Sequence, residues 1–358
     1  MYSEQDLRGA VEAGAITPEA ASALRNHIAA IRATPTVDEE HFRLLTGFND
    51  IFVAIASVLL LSALGWIGGW AWAPLGGVAV AIGAWGLSEY FTRARRMALP
   101  SIILLLAFVG GVAASMIGLI AENGDALEAW IDSMKGNEQL QYAVVGGIGA
   151  VVAGITAGAA WLHWRRFMVP ITVAAGAVAV VAVVMALILG LVPGAKDAIY
   201  PMVLVAGIAM FAFAMRWDMS DLERTTRRSD VAFWLHLTAA PMIAHSVFNM
   251  LGIFDHAIGA GMAVVVLALY IAFAFVALAV DRRALLVSSL AYVLYALFSL
   301  FQTAGAVELS AAFTGLVIGS ALLLLSAFWH TARGFAVGLL GGLRSNLPPV
   351  QQPKLAHA

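Results

Sequence analysis

Long apolar stretches alternate with short polar segments along most of the chain. Each stretch is long enough to cross a hydrocarbon core about 30 Å thick. The pattern therefore predicts an all-α, polytopic integral membrane bundle of ten transmembrane helices within residues 48–331. The predicted spans are 48–67, 74–92, 99–121, 142–164, 167–192, 199–215, 230–252, 257–280, 284–305 and 309–331.

Polar segments flank this domain at both ends. In residues 1–47, Gly14 is a plausible helix stop, and Thr17 followed by Pro18 predicts a second helix start. We therefore expect an amphipathic helical hairpin on the cytoplasmic side. Its apolar face is too small for an independent core, so we expect it to pack on the membrane domain or on a cytoplasmic protein partner. Residues 332–358 contain three prolines and are expected to form a flexible cytoplasmic tail.

Composition supports the membrane assignment. The chain is 61% hydrophobic and 12% charged, whereas a soluble domain carries about 25% charged residues. Too few charges are present to cover a soluble surface, so the lipid bilayer is the expected partner and nucleic acid is not. The absence of cysteine excludes disulfides, zinc–thiolate sites and thiol catalysis.

The basic residues in the loops indicate the orientation. Cytoplasmic loops are enriched in Lys and Arg. With ten spans and the N-terminus inside, only Lys135 and Lys196 of the 20 basic residues fall outside. Skipping or adding one span would scramble this distribution, so the sequence predicts that the N-terminus and the C-terminus both lie inside.

Small residues recur at four-residue spacing in several spans. Such faces allow close approach of helix backbones in lipid, which favours helix packing. Association of two copies through one such face, giving a homo-oligomer, is the alternative. The stripes are Gly110, Ala114 and Gly118; Gly146, Ala150, Gly154 and Gly158; and Gly315 and Gly319.

The seventh predicted span carries a polar stripe on one helix face, formed by Thr238, Pro241, His245 and Asn249. Proline removes a backbone hydrogen bond and can open a cavity in the helix packing. An imidazole within the membrane can carry protons or contact a polar ligand. The alternative is a histidine that is hydrogen-bonded across a helix interface.

The ninth predicted span carries a second polar stripe at spacings of three and four residues. Its amide and hydroxyl groups would be unsatisfied in lipid, so this face should look inward. It either lines a cavity together with the seventh span or joins helices by hydrogen bonds. The stripe consists of Ser288, Tyr292, Tyr295, Ser299 and Gln302.

Acidic residues near the predicted cytoplasmic ends of spans have two interpretations. Asp50 opens the first span, and Glu89 lies close to the end of the second. Together they are candidates for a proton or cation site with one raised pKa. Alternatively, Asp50 caps its helix and Glu89 pairs with Arg93 one turn later. Asp230 and Asp281 are interpreted as helix caps or arginine partners.

Motifs for specific chemistry are absent. The sequence lacks HExxH, GxSxG and phosphate-binding glycine loops, and its three lysines lie in loops or the tail. His236 lies nine residues before His245, nearly opposite on a straight helix, which disfavours a metal pair. We therefore predict no metal site, cofactor or catalytic residue, and an enzyme is the least favoured class.

Two segments resemble a family of uncharacterised bacterial polytopic membrane proteins with a short N-terminal helical module. They are DLRGAVEAGAITPEAASALRNHI (6–28) and FNDIFVAIASVLLLSALGW (48–66). The resemblance implies a multi-pass protein of the bacterial inner membrane and no established activity. The number of helices is also similar to that of the drug/metabolite transporter superfamily, although none of its motifs is present.

Two functional hypotheses follow. The first is a small-molecule or ion transporter with a polar cavity near the seventh and ninth spans, coupled to protons through His245, Asp50 or Glu89. The second is a non-transporting membrane scaffold or sensor, whose N-terminal hairpin docks a cytoplasmic partner.

Overall fold

The computed structural model describes residues 9–24, 48–224, 226–253 and 259–350. The chain divides into two compact units, one of residues 1–42 with 351–358 and one of residues 43–350. Within the described residues, all regular secondary structure is helical.

Only residues 9–24 of the first unit are described. Residues 9–12 and 18–24 are helical, and the turn between them contains Gly14 in the left-handed region at φ 68°. Glycine adopts this conformation without steric cost. The Thr17 hydroxyl accepts a hydrogen bond from the Ala20 amide at 3.2 Å, which caps the second helix. The remainder of the expected hairpin, including residues 25–47, lies outside the described residues.

Twelve α-helices of the second unit are described. They are α1 (Phe48–Ala71), α2 (Ala73–Leu87), α3 (Ala98–Glu122), α4 (Gly124–Asp132), α5 (Glu138–Phe167), α6 (Ile171–Leu191), α7 (Ile199–Met219), α8 (Arg227–Met250), α9 (Ala260–Val280), α10 (Ala284–Thr303), α11 (Ser310–Ala327) and α12 (Trp329–Leu339). In the described part of the chain, nine helices are long and apolar enough to cross a membrane: all of these except α2, α4 and α12. The predicted all-α membrane bundle is confirmed.

The second predicted span, 74–92, differs from the other nine in its helix type. The α-helical part of α2 has 15 residues, which rise about 22 Å at 1.5 Å per residue. The helix continues as a π-helical turn, Ser88–Ala94. The Ser88 hydroxyl donates to the Ala84 carbonyl at 2.7 Å, and such local bonds often bend helices. α2 therefore falls short of the length of an α-helical span, although the helical residues match the predicted segment.

Close backbone contacts hold α1, α2 and α3 together. A methyl group at Gly77 would collide with the backbone of Gly111 and Ser115, and one at Gly118 would lie 2.9 Å from the Ala73 carbonyl carbon. A larger residue at either glycine would push these helices apart. Antiparallel packing of α2 between α1 and α3 thus depends on glycine.

The predicted small-residue stripes pack only in part. A methyl group at Gly146 would lie 2.5 Å from the Ala186 carbonyl oxygen, whereas one at Gly154 or Gly158 would meet no atom within 4 Å. Each four-residue step rotates the position about 40° beyond a full helical turn. Gly154 and Gly158 therefore face away from α6. Gly110, Gly315 and Gly319 likewise pack against nothing in the described chain.

Helix α8 occupies the centre of the C-terminal half. Half of its span is buried, against a third or less for the other eight candidate spans among the described residues. Its residues enter three apolar clusters: Leu235 and Ala239 pack with α6 and α7, Ala240 packs with α9, α10 and α12, and Phe248 packs with α9, α10 and α11. Polar groups on α8 are therefore well placed to link several helices.

The C-terminal region is more regular than the expected flexible tail from residue 332. The tenth predicted span, 309–331, breaks at Phe328, and α12 and a 3-10 turn, Gly341–Asn346, follow. The Arg333 guanidinium, 1% exposed, donates to the carbonyls of Pro348 and Pro349 at 2.6 and 3.0 Å. These bonds hold the end of the described chain against α12. Residues 351–358 lie outside the described residues.

Candidate functional site

A hydrogen bond joins the two predicted polar stripes. The His245 Nδ1 atom of α8 lies 2.6 Å from the Tyr292 hydroxyl of α10. Tyr292 is 8% exposed and stacks on Phe248 at 4.3 Å between ring centroids, whereas His245 is exposed. The phenol is thus fixed by packing, and the imidazole can be reached from outside the bundle.

Two further side chains surround this imidazole. The Asn249 amide, one turn later on α8, donates to the His245 carbonyl at 2.8 Å and lies 3.1 Å from His245 Nδ1. The Tyr200 ring, from the start of α7, lies 6.0 Å from the His245 ring between centroids. We call Tyr200, His245, Asn249 and Tyr292 the His245 cluster. It brings together two phenol groups, one amide and one imidazole from three helices, and the imidazole is exposed on one side.

The other residues of the two stripes lie in different environments. The Thr238 hydroxyl donates to the Trp234 carbonyl within α8 at 2.8 Å. Ser288 and Ser299 are half-buried, and Tyr295 and Gln302 are exposed. Between the helices, Phe248, Val293 and Ala296 form part of a packed apolar cluster. The His245–Tyr292 hydrogen bond thus joins the two stripes, and apolar packing lies beside it.

Asp50 and Glu89 lie in different polar environments. Asp50 is 2% exposed and borders a pocket of about 480 Å³ together with Asn49, Tyr90 and Arg95. Glu89 accepts two hydrogen bonds from Arg166 of α5, at 2.6 and 2.9 Å, and one from Arg93 at 3.2 Å. The ion pair with Arg93 was the alternative interpretation of Glu89. Two guanidinium groups neutralise this carboxylate, which favours its ionised form.

A buried ionic network was not found by sequence reasoning. Asp218, near the end of α7, is 1% exposed and contacts α8 and the α9–α10 turn. Its Oδ2 lies 2.9 Å from His236 Nε2 of α8, and its Oδ1 accepts from Arg282 Nη2 at 2.6 Å. Arg282 also donates to the Ser229 carbonyl at 3.1 Å. These bonds tie α7, α8 and the α9–α10 turn together.

A second carboxylate lies in the same α9–α10 turn. Asp281 adopts the left-handed region at φ 60° as the C-terminal cap of α9. Its carboxylate accepts from Arg224 at 2.9 Å and from the Trp329 indole at 2.8 Å, and Arg333 lies 3.5 Å away. Asp281 is thus both a cap residue and an arginine partner, which were the two interpretations of the sequence.

The two carboxylates form one network at this end of the bundle. We call the aspartate network the residues Asp218, Arg224, His236, Asp281, Arg282, Trp329 and Arg333. Burial lowers the pKa of Arg224, and the charge of Arg282 acts in the same direction, while Asp281 opposes the shift. With two carboxylates and three guanidinium groups in contact, the network compensates its buried negative charge.

The sequence signal for this network was present but was ascribed to membrane topology. Arg224 and Arg282 lie in polar segments between apolar spans, where arginines also mark the cytoplasmic side of a membrane, and helical spacing compares His236 only with His245. An acidic residue at the very end of an apolar span, as at Asp218, is the sign that could have indicated an ion pair. Among the described residues, no group of three or more His, Asp or Glu side chains is arranged to hold a metal.

Comparison with known proteins adds no assignment. The chain matches no family model, no curated protein and no solved structure. The functional argument therefore depends on the geometry of the His245 cluster and the aspartate network.

Proposed function

We propose that this protein is a proton-coupled transporter of a small polar molecule or ion, with α8 as the coupling helix. The supporting observation is that α8 carries two imidazoles, each hydrogen-bonded to an ionisable side chain of another helix. His245 bonds to Tyr292, and His236 bonds to Asp218. Nine residues separate the two, about 13.5 Å along a helix. Titratable side chains of this kind inside membrane spans are rare and typical of proton pathways.

The two imidazoles differ in exposure, and coupling requires such a difference. His245 is exposed, and His236, within the aspartate network, is 2% exposed. Pro241 lies between them and leaves the Leu237 carbonyl without its helical amide partner. A helix weakened at this point can change the position of one histidine relative to the other. The solute then binds beside His245, where Asn249 and the two tyrosines offer neutral hydrogen-bonding groups.

The test measures solute-linked proton movement in liposomes. The purified protein is reconstituted around a trapped pH-sensitive dye, and defined pools of amino acids, sugars and monovalent cations are added outside. We expect at least one pool to change the internal pH with the wild-type protein. His245→Ala and Tyr292→Phe should abolish the change, whereas His330→Ala, an exposed histidine of α12, should retain it.

Two results would contradict the proposal. One is the absence of a pH change for every pool with a correctly folded wild-type protein. The other is full activity in both His245→Ala and Tyr292→Phe. Asp50→Asn and Glu89→Gln test the remaining candidate carboxylates in the same assay.

We further propose ten membrane crossings, with both ends of the chain in the cytoplasm of a bacterium. Support comes from the loop arginines, the N-terminal resemblance and the packing of α2 between α1 and α3. The chain has no cysteine, so single cysteines can be introduced and labelled with a membrane-impermeant maleimide. Ser133→Cys in intact cells should be labelled, whereas Ser22→Cys and Ser220→Cys should not. Equal labelling of Ser22→Cys and Ser133→Cys would show that α2 does not cross.

The second candidate function is a membrane scaffold or sensor. It is favoured by the division of the chain into two compact units, because a separate N-terminal unit suits docking of a cytoplasmic partner. Deletion of residues 1–47 distinguishes the two functions. A transporter should keep its solute-linked pH change in liposomes, whereas a scaffold shows no such change either with or without the segment.

A further inference from the structure

A deep apolar groove separates α6 from α7. It has a volume of about 790 Å³, within the range of about 300–1,000 Å³ typical of ligand pockets. One wall consists of α6 residues such as Val180 and Val184, and the other consists of α7 residues such as Val205 and Phe213. Val180, Val184 and Val205 are about half exposed or more, so the groove opens sideways from the bundle.

The groove exists because α6 and α7 pack on α8 more than on each other. Ala174 of α6, Met210 of α7 and Leu235 of α8 share one apolar cluster, and Met210 of this cluster lines the groove as its floor. A methyl group at Gly207 would lie 3.0 Å from Met242 and Ile243, so α7 is drawn close to α8. The two walls diverge above this floor, which leaves a channel along the helices.

One end of the groove carries a positive charge. Phe213 lines the groove, and Arg216 follows three residues later on the same helix face. Arg216 is exposed. Trp164 and Trp217 pack at the border of the same apolar cluster, and tryptophan favours the headgroup layer of a membrane. An apolar channel thus leads to a cationic, aromatic end.

We propose that this groove binds an anionic phospholipid, with an acyl chain between α6 and α7 and the phosphate at Arg216. Branched Val and flexible Met side chains supply more than half of the lining residues, beside three alanines, and they suit an irregular hydrocarbon chain. Helix partners in membranes instead favour small residues that allow close backbone approach. The proposal is independent of the transport function.

The experiment compares lipids that differ only in the headgroup. The delipidated protein in detergent is incubated with phosphatidylglycerol or phosphatidylcholine of identical acyl chains, and the retained lipid is counted by native mass spectrometry. The wild-type protein should retain phosphatidylglycerol preferentially. Arg216→Gln should reduce that preference about five-fold, the factor for one arginine near an anionic surface (about 1 kcal/mol). Val205→Trp fills the groove and should remove retention of both lipids.

Matched variants control for general effects of charge and bulk. Arg96→Gln removes an exposed arginine of the α2–α3 turn, and Val151→Trp adds bulk to an exposed face of α5. Both should retain lipid as the wild-type protein does. Equal retention of the two lipids by the wild-type protein, or an unchanged preference in Arg216→Gln, would overturn the proposal. So would a wild-type protein that proves to be a dimer and a Val205→Trp variant that is a monomer with unchanged lipid retention, because the groove would then bind a second copy.

Discussion

The His245 cluster and the aspartate network each contain a histidine of α8, but their polar groups lie in opposite environments. In the aspartate network, Asp218, Asp281, Arg282 and Arg333 are each at most 6% exposed, and opposite charges contact one another. In the His245 cluster, the imidazole is exposed and its partners are a phenol, a second aromatic ring and an amide. One region is sealed and charged, and the other is open and carries no permanent charge.

This difference separates a fixed end of the coupling helix from a responsive one. Removal of one partner from a buried ion pair leaves an uncompensated charge, so such a network resists rearrangement. A histidine that is open on one side can exchange its hydrogen-bond partner without leaving a buried charge uncompensated. We therefore interpret the aspartate network as the fixed joint of α7, α8, α9 and α12, and the His245 cluster as the responsive site.

The largest expected effect is that of Asp218→Ala. The substitution leaves Arg282 buried without its carboxylate and should destabilise the protein by about 3–5 kcal/mol. Thermal unfolding in detergent should show a large fall in Tm, whereas Asp125→Ala, an exposed residue of α4, should leave the Tm unchanged. Combining Asp218→Leu with Arg282→Met removes both charges and should recover much of the stability that Asp218→Ala loses. A stable Asp218→Ala protein would contradict the interpretation of a fixed joint.

The next effect is that of Arg333→Ala. Asp281 keeps Arg224 and Trp329 as partners, so the loss is that of charged hydrogen bonds to Pro348 and Pro349, about 1.5–3 kcal/mol. The end of the chain should also become more accessible, measured as faster trypsin cleavage after Arg344. Arg224→Ala is the control: trypsin should cleave this variant after Arg344 more slowly than it cleaves Arg333→Ala. Unchanged cleavage in Arg333→Ala would show that these bonds do not hold the segment.

A smaller effect on stability is expected for Tyr292→Phe. The substitution removes the hydroxyl partner of His245, and the imidazole is exposed, so it is not left buried without a partner. The loss should be about 0.5–1.5 kcal/mol. Thermal unfolding should therefore separate this variant clearly from Asp218→Ala. A destabilisation as large as that of Asp218→Ala would make the His245 cluster a structural joint as well.

The smallest effect is expected for Asn249→Ala. Its amide bonds chiefly to the His245 carbonyl one turn earlier on the same helix, and the change in stability should stay within about 0.5 kcal/mol. A change in the solutes that alter the internal pH, with an unchanged Tm, would place Asn249 at the binding site. A large fall in Tm would instead assign it to helix packing.

Sequence reasoning placed His245 and Tyr292 on polar stripes of two helices, because helical spacing aligns each residue with other polar positions, but it did not predict that these two residues pair. It did not foresee that Tyr295 and Gln302, from the same stripe, would be exposed. Helical spacing shows which residues share one face of a helix, but it does not show what that face contacts. Which part of it contacts a neighbour depends on the crossing of the helices, and that crossing is decided by packing at residues such as Phe248 and Ala296.

The sequence by itself determined where the helices lie, because a membrane requires long apolar segments whose backbone bonds are satisfied internally. It also determined local features such as the turn at Gly14 and the cap at Asp281, which depend on neighbouring residues alone. Only the tertiary structure decided which arginines are exposed at the surface and which are buried. Asp218 and Arg282 are 64 residues apart, so no local pattern distinguishes this buried pair from charges that mark a loop. The packing of α7, α8 and α9 excludes solvent from both side chains. A charge buried there is costly unless it is paired, so the two residues form an ion pair.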